Sequence, residues 1–442
     1  MSSVAPDRRL LAAVAIWVAL GVAAVAVPLL WPVAAGAALL LVAVLARDAL
    51  LLRRTPRIEI ERWLPVRAAL GRASDLEVRL HNSGRLPVLA EVFEEIPADL
   101  CAAEPHWPRV VLPAGETLTL RYSVTPQIRG DRPLGAVLAL ERSPLGLLRR
   151  SAVGPSDQVL RVYPDATRFL RPEALDPKRV LAAIGVKPAR RRGEGMEFES
   201  LRDFVAGDDP RCLDWAASAR RGRSVVRLYQ HERNHSVVIA LDASRLMAGR
   251  IGERTKLDYA VDASLALSYA AISAGDRVGM TVFDAEVRGF IPPRRGRADL
   301  GQFVEMLRPV QPRLVEADFQ ALARTLAMRQ RQRSLLVILT DFVEADAAPF
   351  AAPLAVLGKH HRVLLVAVRD RVFCEVDAAA GGEGEDALGL YRRIVLDDLL
   401  REREVALGRL RRRGLQTLDL PPEAITAAVL NRYLAIRYGA ER

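Results

Sequence analysis

The chain has 442 residues, half of them hydrophobic, and a formal charge of +11 from 64 Lys and Arg against 53 Asp and Glu. That length holds roughly two to four folded units, each with a sizeable core. The positive balance does not by itself select nucleic acid: the basic residues are scattered and nearly all Arg, with only Lys178, Lys187, Lys256 and Lys359 as lysines, and aromatics at 5% are too sparse for base-stacking platforms.

Cys101, Cys212 and Cys374 form neither a C-x-x-C pair nor an even disulfide ladder, which fits a reducing compartment. From Leu10 to Ala46 no charged residue occurs. As one helix that stretch would be about 55 Å long, against a bilayer core of roughly 30 Å, so it must fold back. Pro28 and Pro32 flank Trp31 at the turn, predicting one span near residues 10–27 and a shorter one near 33–46. Arg8 and Arg9 before the pair, and Arg47, Arg53 and Arg54 after it, place both flanks in the cytoplasm. A cleaved signal peptide is the alternative, but two apolar runs in succession exceed a normal h-region. With no ionisable group inside the spans, residues 1–55 are expected to anchor rather than transport.

Residues 56–165 change to short alternating runs bordered by Gly, Pro or Asn, such as "DLEVRLHNSG" and "GETLTLRYSV". Period-two alternation predicts half-buried strands and a small immunoglobulin-like β-sandwich. His81 and His106 stand alone there, and "SPLGLL", residues 143–148, reads as a turn leading into a strand.

Residues 166–235 carry "RRRGEGMEFESLRDFVAGDDPRCLDWAASARRGRSVVRLYQHE". Dense charge is mixed there with Phe198, Leu201, Phe204, Leu213 and Trp215, which favour burial. Arg202, Asp203, Asp208, Asp209, Arg211 and Asp214 are therefore expected to form an ion-pair network at a packed surface. Gly193, Gly195 and Gly207 would supply tight backbone. Reading Glu197 and Glu199 as a glycosidase pair lacks any spacing that sets two carboxylates across a substrate. No G-x-x-x-x-G-K-[ST] string is present, so ATP binding by a P-loop is not expected.

The phrases "GEGMEF", "LRDF" and "GDDPRCLDWAASAR", followed by "VVIALDAS", resemble the bacterial domain-of-unknown-function 58 family. "IRGDRPLG" and "SPLGLL" are similar to phrases of that family too. The resemblance implies two membrane helices, a β-sandwich and a C-terminal von Willebrand factor A-like domain, with the bulk of the chain on the cytoplasmic side of the inner membrane. It further implies work beside a MoxR-type AAA+ ATPase or other von Willebrand A proteins, in assembly or envelope processes, with no established activity.

Residues 236–442 alternate strand and helix, which by itself predicts a doubly wound α/β sheet. "SVVIALD", "RVGMTVF", "SLLVILTDF" and "HRVLLVAVRD" read as strands; "KLDYAVDASLALSYAAISAGD" reads as a helix ending at Gly275, with further helices over residues 317–329 and 390–412. Asp242 and Asp341 end two apolar strands at the rim where such sheets bind ligands. The resemblance implies a D-x-S-x-S metal site there. "DASRL" keeps Asp242 and Ser244 but has Leu246 for the second Ser, Ala317 stands where Thr is expected, and "LTDF" supplies Asp341. Neither Leu nor Ala offers oxygen to a hard cation, so the site reads as degenerate: no cofactor is required, and weak Mg²⁺ or Mn²⁺ is the most it would hold, with Asp318 or Thr340 as substitute ligands. Asp242 and Ser244 can equally cap loop amides.

"HERNH", residues 231–235, fits H-E-x-x-H, and Glu253 lies downstream where some zinc proteases place a third ligand. Zinc needs His231 and His235 on one helix. The motif instead sits between two Val-rich stretches, and in an extended chain residues four apart are roughly 13 Å apart. The resulting expectation is a non-enzymatic, membrane-anchored scaffold that binds protein partners and no specific nucleic acid, with function in the signature segment and at the sheet rim. A zinc-dependent hydrolase or protease using His231, Glu232 and His235 is the alternative, and Arg-rich patches at residues 190–192 and 411–413 offer a third route, electrostatic binding of anionic lipid or nucleic acid, marked by steep salt dependence.

Overall fold

The computed structural model describes residues 4–101, 106–165, 196–205, 213–231, 235–296, 298–342, 348–370, 373 and 387–437. The chain divides into two compact units, Met1–Tyr163 and Pro164–Arg442.

The first unit opens with β1 (Val4–Pro6) and two apolar helices, α1 (Arg8–Ala26) and α2 (Trp31–Arg54). Both are long and apolar enough to cross a membrane and expose most of their side chains. The turn falls at Pro28 to Leu30, where Pro ends one helix and fits the first turn of the next, and Trp17 Nε1 donates to Ala34 O at 3.1 Å across the pair. The second helix is longer than the 33–46 expected: it continues through the Leu-rich stretch after Arg47. Asp48, fully buried, does not break it because its carboxylate accepts from Ser143 Oγ at 2.5 Å, Leu145 N at 3.0 Å and Leu147 N at 3.1 Å.

A β-rich region follows: β2 (Glu59–Trp63), β3 (Ala68–Ala69), β4 (Ser74–His81), β5 (Val88–Glu94), β6 (His106–Leu112), β7 (Thr117–Val124), β8 (Gly130–Pro133), β9 (Val137–Arg142), β10 (Leu148–Val153) and β11 (Val159–Tyr163). They form sheets β1-β10-β9-β5-β6, β2-β4-β7 and β3-β11-β8. Alternation does what period two requires: Leu76, Val78 and Leu80 of β4 are fully buried, while their neighbours Glu77 and Arg79 are half-buried. "SPLGLL" is the β9–β10 turn, with Gly146 left-handed at φ 74°, and it clasps both helix ends. Asp7, the N-cap of α1, accepts from Arg149 Nε at 2.5 Å. Arg150, buried against Glu141, donates to Leu52 O, Thr55 O and Pro56 O at 3.0 Å each, satisfying carbonyls that the end of α2 leaves open.

The first described elements of the second unit are β12 (Met196–Asp203) and β13 (Val225–His231), paired antiparallel, with α3 (Trp215–Arg221) between them in the chain. Its sheet is built from β14 (Ser236–Asp242), β17 (Arg277–Phe283), β18 (Val287–Arg294), β19 (Leu335–Thr340), β20 (Arg362–Val368) and β21 (Gln416–Leu420), in the order β18-β17-β14-β19-β20-β21. The short pair β15 (Arg250–Ile251) and β16 (Arg254–Thr255) precedes the helix α4 (Lys256–Ser273). Every pairing in the main sheet is parallel except β17 with β18, an edge hairpin not foreseen from the sequence. Its Pro292 and Pro293 are tolerated because an edge strand leaves one side unpaired. Further helices are α5 (Ala298–Leu307), α6 (Phe319–Arg329), α7 (Ala348–His360), α8 (Ala387–Arg412) and α9 (Pro422–Arg437). Val238, Ala240, Leu336 and Ile338 share a core with residues of α6, α7 and α8, while α4 packs on β14 and β17, and α9 on α4. The capping box Thr255/Asp258 starts α4, and Gly275 (φ 87°) ends it as expected.

Candidate functional site

The parallel pairing of β14 with β19 sets their C-terminal ends side by side, Leu241 opposite Leu339. Asp242, Ser244, Thr340 and Asp341 therefore meet at one rim, and all are buried. Asp242 accepts from Ser244 N at 2.7 Å through Oδ1 and from Thr340 Oγ1 at 2.5 Å through Oδ2. Burial pushes its carboxyl up to about 6, against the hydrogen bonds from Thr340 and Ser244 and with help from the neighbouring Asp341 charge.

Asp341 is held by cations. Its Oδ2 lies 2.5 Å from Lys256 Nζ, and its Oδ1 accepts from Arg403 Nη2 at 2.8 Å and Phe342 N at 2.7 Å. Lys256 also reaches Asp370 at 2.7 Å, and Arg403 reaches Asp419 at 2.9 Å and the Phe342 carbonyl. Burial raises the Asp341 carboxyl, while Arg403 and Lys256 pull it back down. The result is an alternating chain, Asp370–Lys256–Asp341–Arg403–Asp419, brought from α4, α8, β21 and the ends of β19 and β20.

This rim does not suit a hard dication. Each oxygen of Asp242 and Asp341 is already engaged, and two protein cations stand against Asp341 where a metal would need open oxygens. Leu246 lies in a short 3-10 turn and Ala317 packs on the core. Asp318 is spent as the N-cap of α6, accepting from Gln320 N at 2.8 Å and Ala321 N at 2.9 Å, and Thr340 donates to Asp242. Among the described residues no three His, Cys, Asp or Glu side chains gather as a metal-ligand set.

Lys256, Arg403, Asp370 and Asp419 were not singled out from the sequence. One signal was there: a lysine among only four, at the first position of a helix, where the macrodipole disfavours a cation unless acids face it. Nothing in the local sequence around Arg403 announces its partners, which arrive from β19 and β21.

Of the signature segment, Gly193, Gly195, Gly207, Asp208, Asp209 and Arg211 lie outside the described residues. Glu197, Phe198 and Arg202 are described by backbone only, opposite Gln230, Tyr229 and Val226. Asp203 pairs with Arg223 at 2.8 Å, both exposed, a contact worth little. Asp214 caps α3, accepting from Ala217 N at 3.0 Å. Trp215, expected to be buried, is 75% exposed: it opens a seven-residue helix anchored through Ser218 and Val225, which leaves that position outward.

His231 closes β13 and His235 directly precedes β14, rather than the two sharing a helix; Glu232 to Asn234 lie outside the described residues. His235 N donates to Asp276 Oδ1 at 3.3 Å. Glu253 sits in the β15–β16 turn, its carboxylate 3.8 Å from Arg250.

Residues 200–378 match the family described as "Protein of unknown function DUF58". The chain is 27% identical over 213 residues to "Uncharacterized protein Rv1480" of Mycobacterium tuberculosis, covering 48% of this chain and 67% of that protein. It is 26% identical over 155 residues to "Uncharacterized protein YeaD" of Bacillus subtilis, covering 35% and 37% respectively. Proximal thread matrix protein 1 from the mussel byssus matches 46% of this chain and 47% of its own at 11% identity, with a TM-score of 0.29, too low to carry an argument.

Proposed function

We propose that the protein is a non-enzymatic, membrane-anchored scaffold of the domain-of-unknown-function 58 family, whose von Willebrand A-like α/β unit docks a protein partner through the rim beside Asp242 without a bound metal. The observation that carries this reading is the rim itself. Six strands in the order β18-β17-β14-β19-β20-β21 bring Asp242, Ser244 and Asp341 to the place where such sheets take ligands, and Lys256 and Arg403 supply the positive charge from within. Beside that rim, Arg313 N and Val315 O bond to Ala243 O and Arg245 N at 2.8 and 2.9 Å, so the 311–318 loop is fastened over the strand end. The loop carries Leu314, 85% exposed. In this reading Leu314 and the neighbouring Val315, 37% exposed, are the points at which the fastened loop meets its partner.

In this reading the apolar helices form a two-pass anchor in the bacterial inner membrane, and the immunoglobulin-like β-rich region and the α/β unit face the cytoplasm. A MoxR-type AAA+ ATPase is the partner that the family resemblance favours, with other von Willebrand A proteins next. The test is binding of the purified MoxR-type ATPase to the full chain in lipid nanodiscs. Binding should persist in EDTA and fall at least tenfold in Leu314→Asp, whose melting should match wild type. EDTA-sensitive binding would overturn the metal-free rim. Unchanged binding by Leu314→Asp would move the docking surface elsewhere, and no binding by wild type would remove this partner.

A further inference from the structure

A second site lies in the first unit, at the foot of the apolar helices. There the end of α2 and the β4–β5 loop border two neighbouring hollows, of about 170 and 290 Å³. Thr55 and Leu86 line both. Arg9 borders the smaller one, and Arg54 and Arg85 border the larger.

The larger hollow is lined by two arginines and no acid. Both are exposed, and among the described residues neither Arg54 nor Arg85 makes an ion pair or a side-chain hydrogen bond. The smaller hollow is mostly balanced: Arg150 lies 2.5 Å from Glu141, and Arg142 lies 3.3 Å from Asp7. Arg9, also exposed, has no acid partner among the described residues. Three uncompensated guanidinium groups around one helix end make a basic patch that draws anions.

Two further observations are independent of charge. The first is that Arg85 stands on a fixed loop. Asn82, 1% exposed, donates from Nδ2 to Leu86 O at 2.9 Å, Leu112 O at 3.2 Å and Pro113 O at 3.1 Å, and its Oδ1 accepts from Gly84 N at 3.0 Å. Gly84 packs so closely on Pro56 that a Cβ there would lie 3.3 Å from the proline ring, which seats the loop directly behind the end of α2. The second is depth. The charge-free stretch ends at Ala46, so the last eight residues of α2, about 12 Å of helix, climb out of the hydrocarbon through the headgroup layer. Arg54 and Arg85 stand at the outer edge of that layer, where a long side chain reaches back to its phosphates. Leu50 and Leu86, 57% and 48% exposed, offer apolar surface beside them.

We propose that the hollow between α2 and the β4–β5 loop binds the phosphate of an anionic phospholipid, gripped by Arg54 and Arg85, with Arg9 adding charge from the neighbouring hollow. Planar guanidinium forks suit a phosphate group, and Leu50 and Leu86 meet the apolar part of the lipid, which a free phosphate lacks. The proposal rests on the reading of the two helices as a membrane anchor and is independent of the Asp242 rim.

Native mass spectrometry of the full chain, released from nanodiscs of equal phosphatidylcholine and phosphatidylglycerol, tests it. Phosphatidylglycerol should stay bound after phosphatidylcholine has dissociated. The double variant Arg54→Gln/Arg85→Gln should retain it roughly tenfold less or worse, the loss expected when charge-assisted contacts to phosphate are removed. Both side chains are exposed, so that variant should melt as wild type. Arg161→Gln/Arg401→Gln removes the same charge from exposed positions on β11 and α8 and should retain the lipid as wild type does. Inorganic phosphate at the lipid's own concentration should not displace it. The site is overturned if the Arg54/Arg85 variant keeps phosphatidylglycerol as well as wild type, if phosphatidylcholine is retained equally, or if inorganic phosphate displaces the lipid, which would make the occupant a free anion. Failure of wild type to enter nanodiscs of phosphatidylcholine alone would instead strike the anchor reading, and the site with it.

Discussion

Replacing Lys256 with Met keeps the aliphatic bulk of the side chain and deletes its charge. Lys256 is 2% exposed and stands 2.5 Å from Asp341 and 2.7 Å from Asp370. Truncating one partner of a buried pair costs about 3–5 kcal/mol, because the other charge stays behind uncompensated. Here Arg403 still holds Asp341 at 2.8 Å and Asp370 is 39% exposed to water, so the loss should fall at the lower end, about 3 kcal/mol. For a unit of this size that is roughly 6–12 °C in melting temperature. Hydrogen–deuterium exchange in the full chain, followed at the buried amides of β14 and β19, reads this unit separately from the apolar helices. Adding Asp341→Asn should recover part of the loss, with the double variant better than the sum of the singles by about 2 kcal/mol. A single-variant loss below about 1 kcal/mol, the range of surface pairs, would refute the reasoning. So would strict additivity, which would mean that Lys256 and Asp341 are neighbours without being energetically coupled.

Asp242 adds a pH dependence of opposite sense to an ordinary paired carboxylate. Its folded value is raised from 3.8 to about 6 by burial, so the folded state binds the proton more tightly; the contribution is fully present below about pH 4 and is lost as pH rises through 6, about 3 kcal/mol in all. Denaturant melts across that window should show this fall in wild type and not in Asp242→Asn; parallel slopes in the two proteins would exclude Asp242 as the group responsible. At the base of the helix pair, Asp48→Leu removes the acceptor for Ser143, Leu145 and Leu147 and should cost about 3 kcal/mol, with faster amide exchange at Leu145 and Leu147. Unchanged exchange at those two amides would show that the turn holds without the helix.

Much of the architecture was legible because it rests on local chemistry. The charge-free run from Leu10 to Ala46 with Pro at its middle is a pair of apolar helices for any solvent-averse chain. Uninterrupted runs such as "SVVIALD" are strands buried on both faces, and Thr255, Asp258 and Gly275 mark the ends of α4 in the sequence itself. Other features were not. The second helix outran its apolar stretch because Asp48 finds its acceptor role nearly a hundred residues away, in the β9–β10 turn. Trp215 stayed outward because a short helix satisfies its backbone through Asp214 and Ser218 and does not need the indole.

The rim carries the larger lesson. Asp242, Ser244 and Asp341 could be picked out in the sequence, since each ends or follows an apolar strand. What faces them could not: Lys256 and Arg403 come from helices whose sequence distances to Asp341, 85 and 62 residues, hold no periodic signal. Sequence alone determined the two apolar helices, the four strands β14, β17, β19 and β20 and the ends of α4, because those follow from side-chain periodicity and capping within a few residues. Only the tertiary structure decided that the carboxylates at the strand ends are neutralised by the chain's own cations, because a charge pairs with whatever the fold brings within about 3 Å and chain order places no limit on that partner.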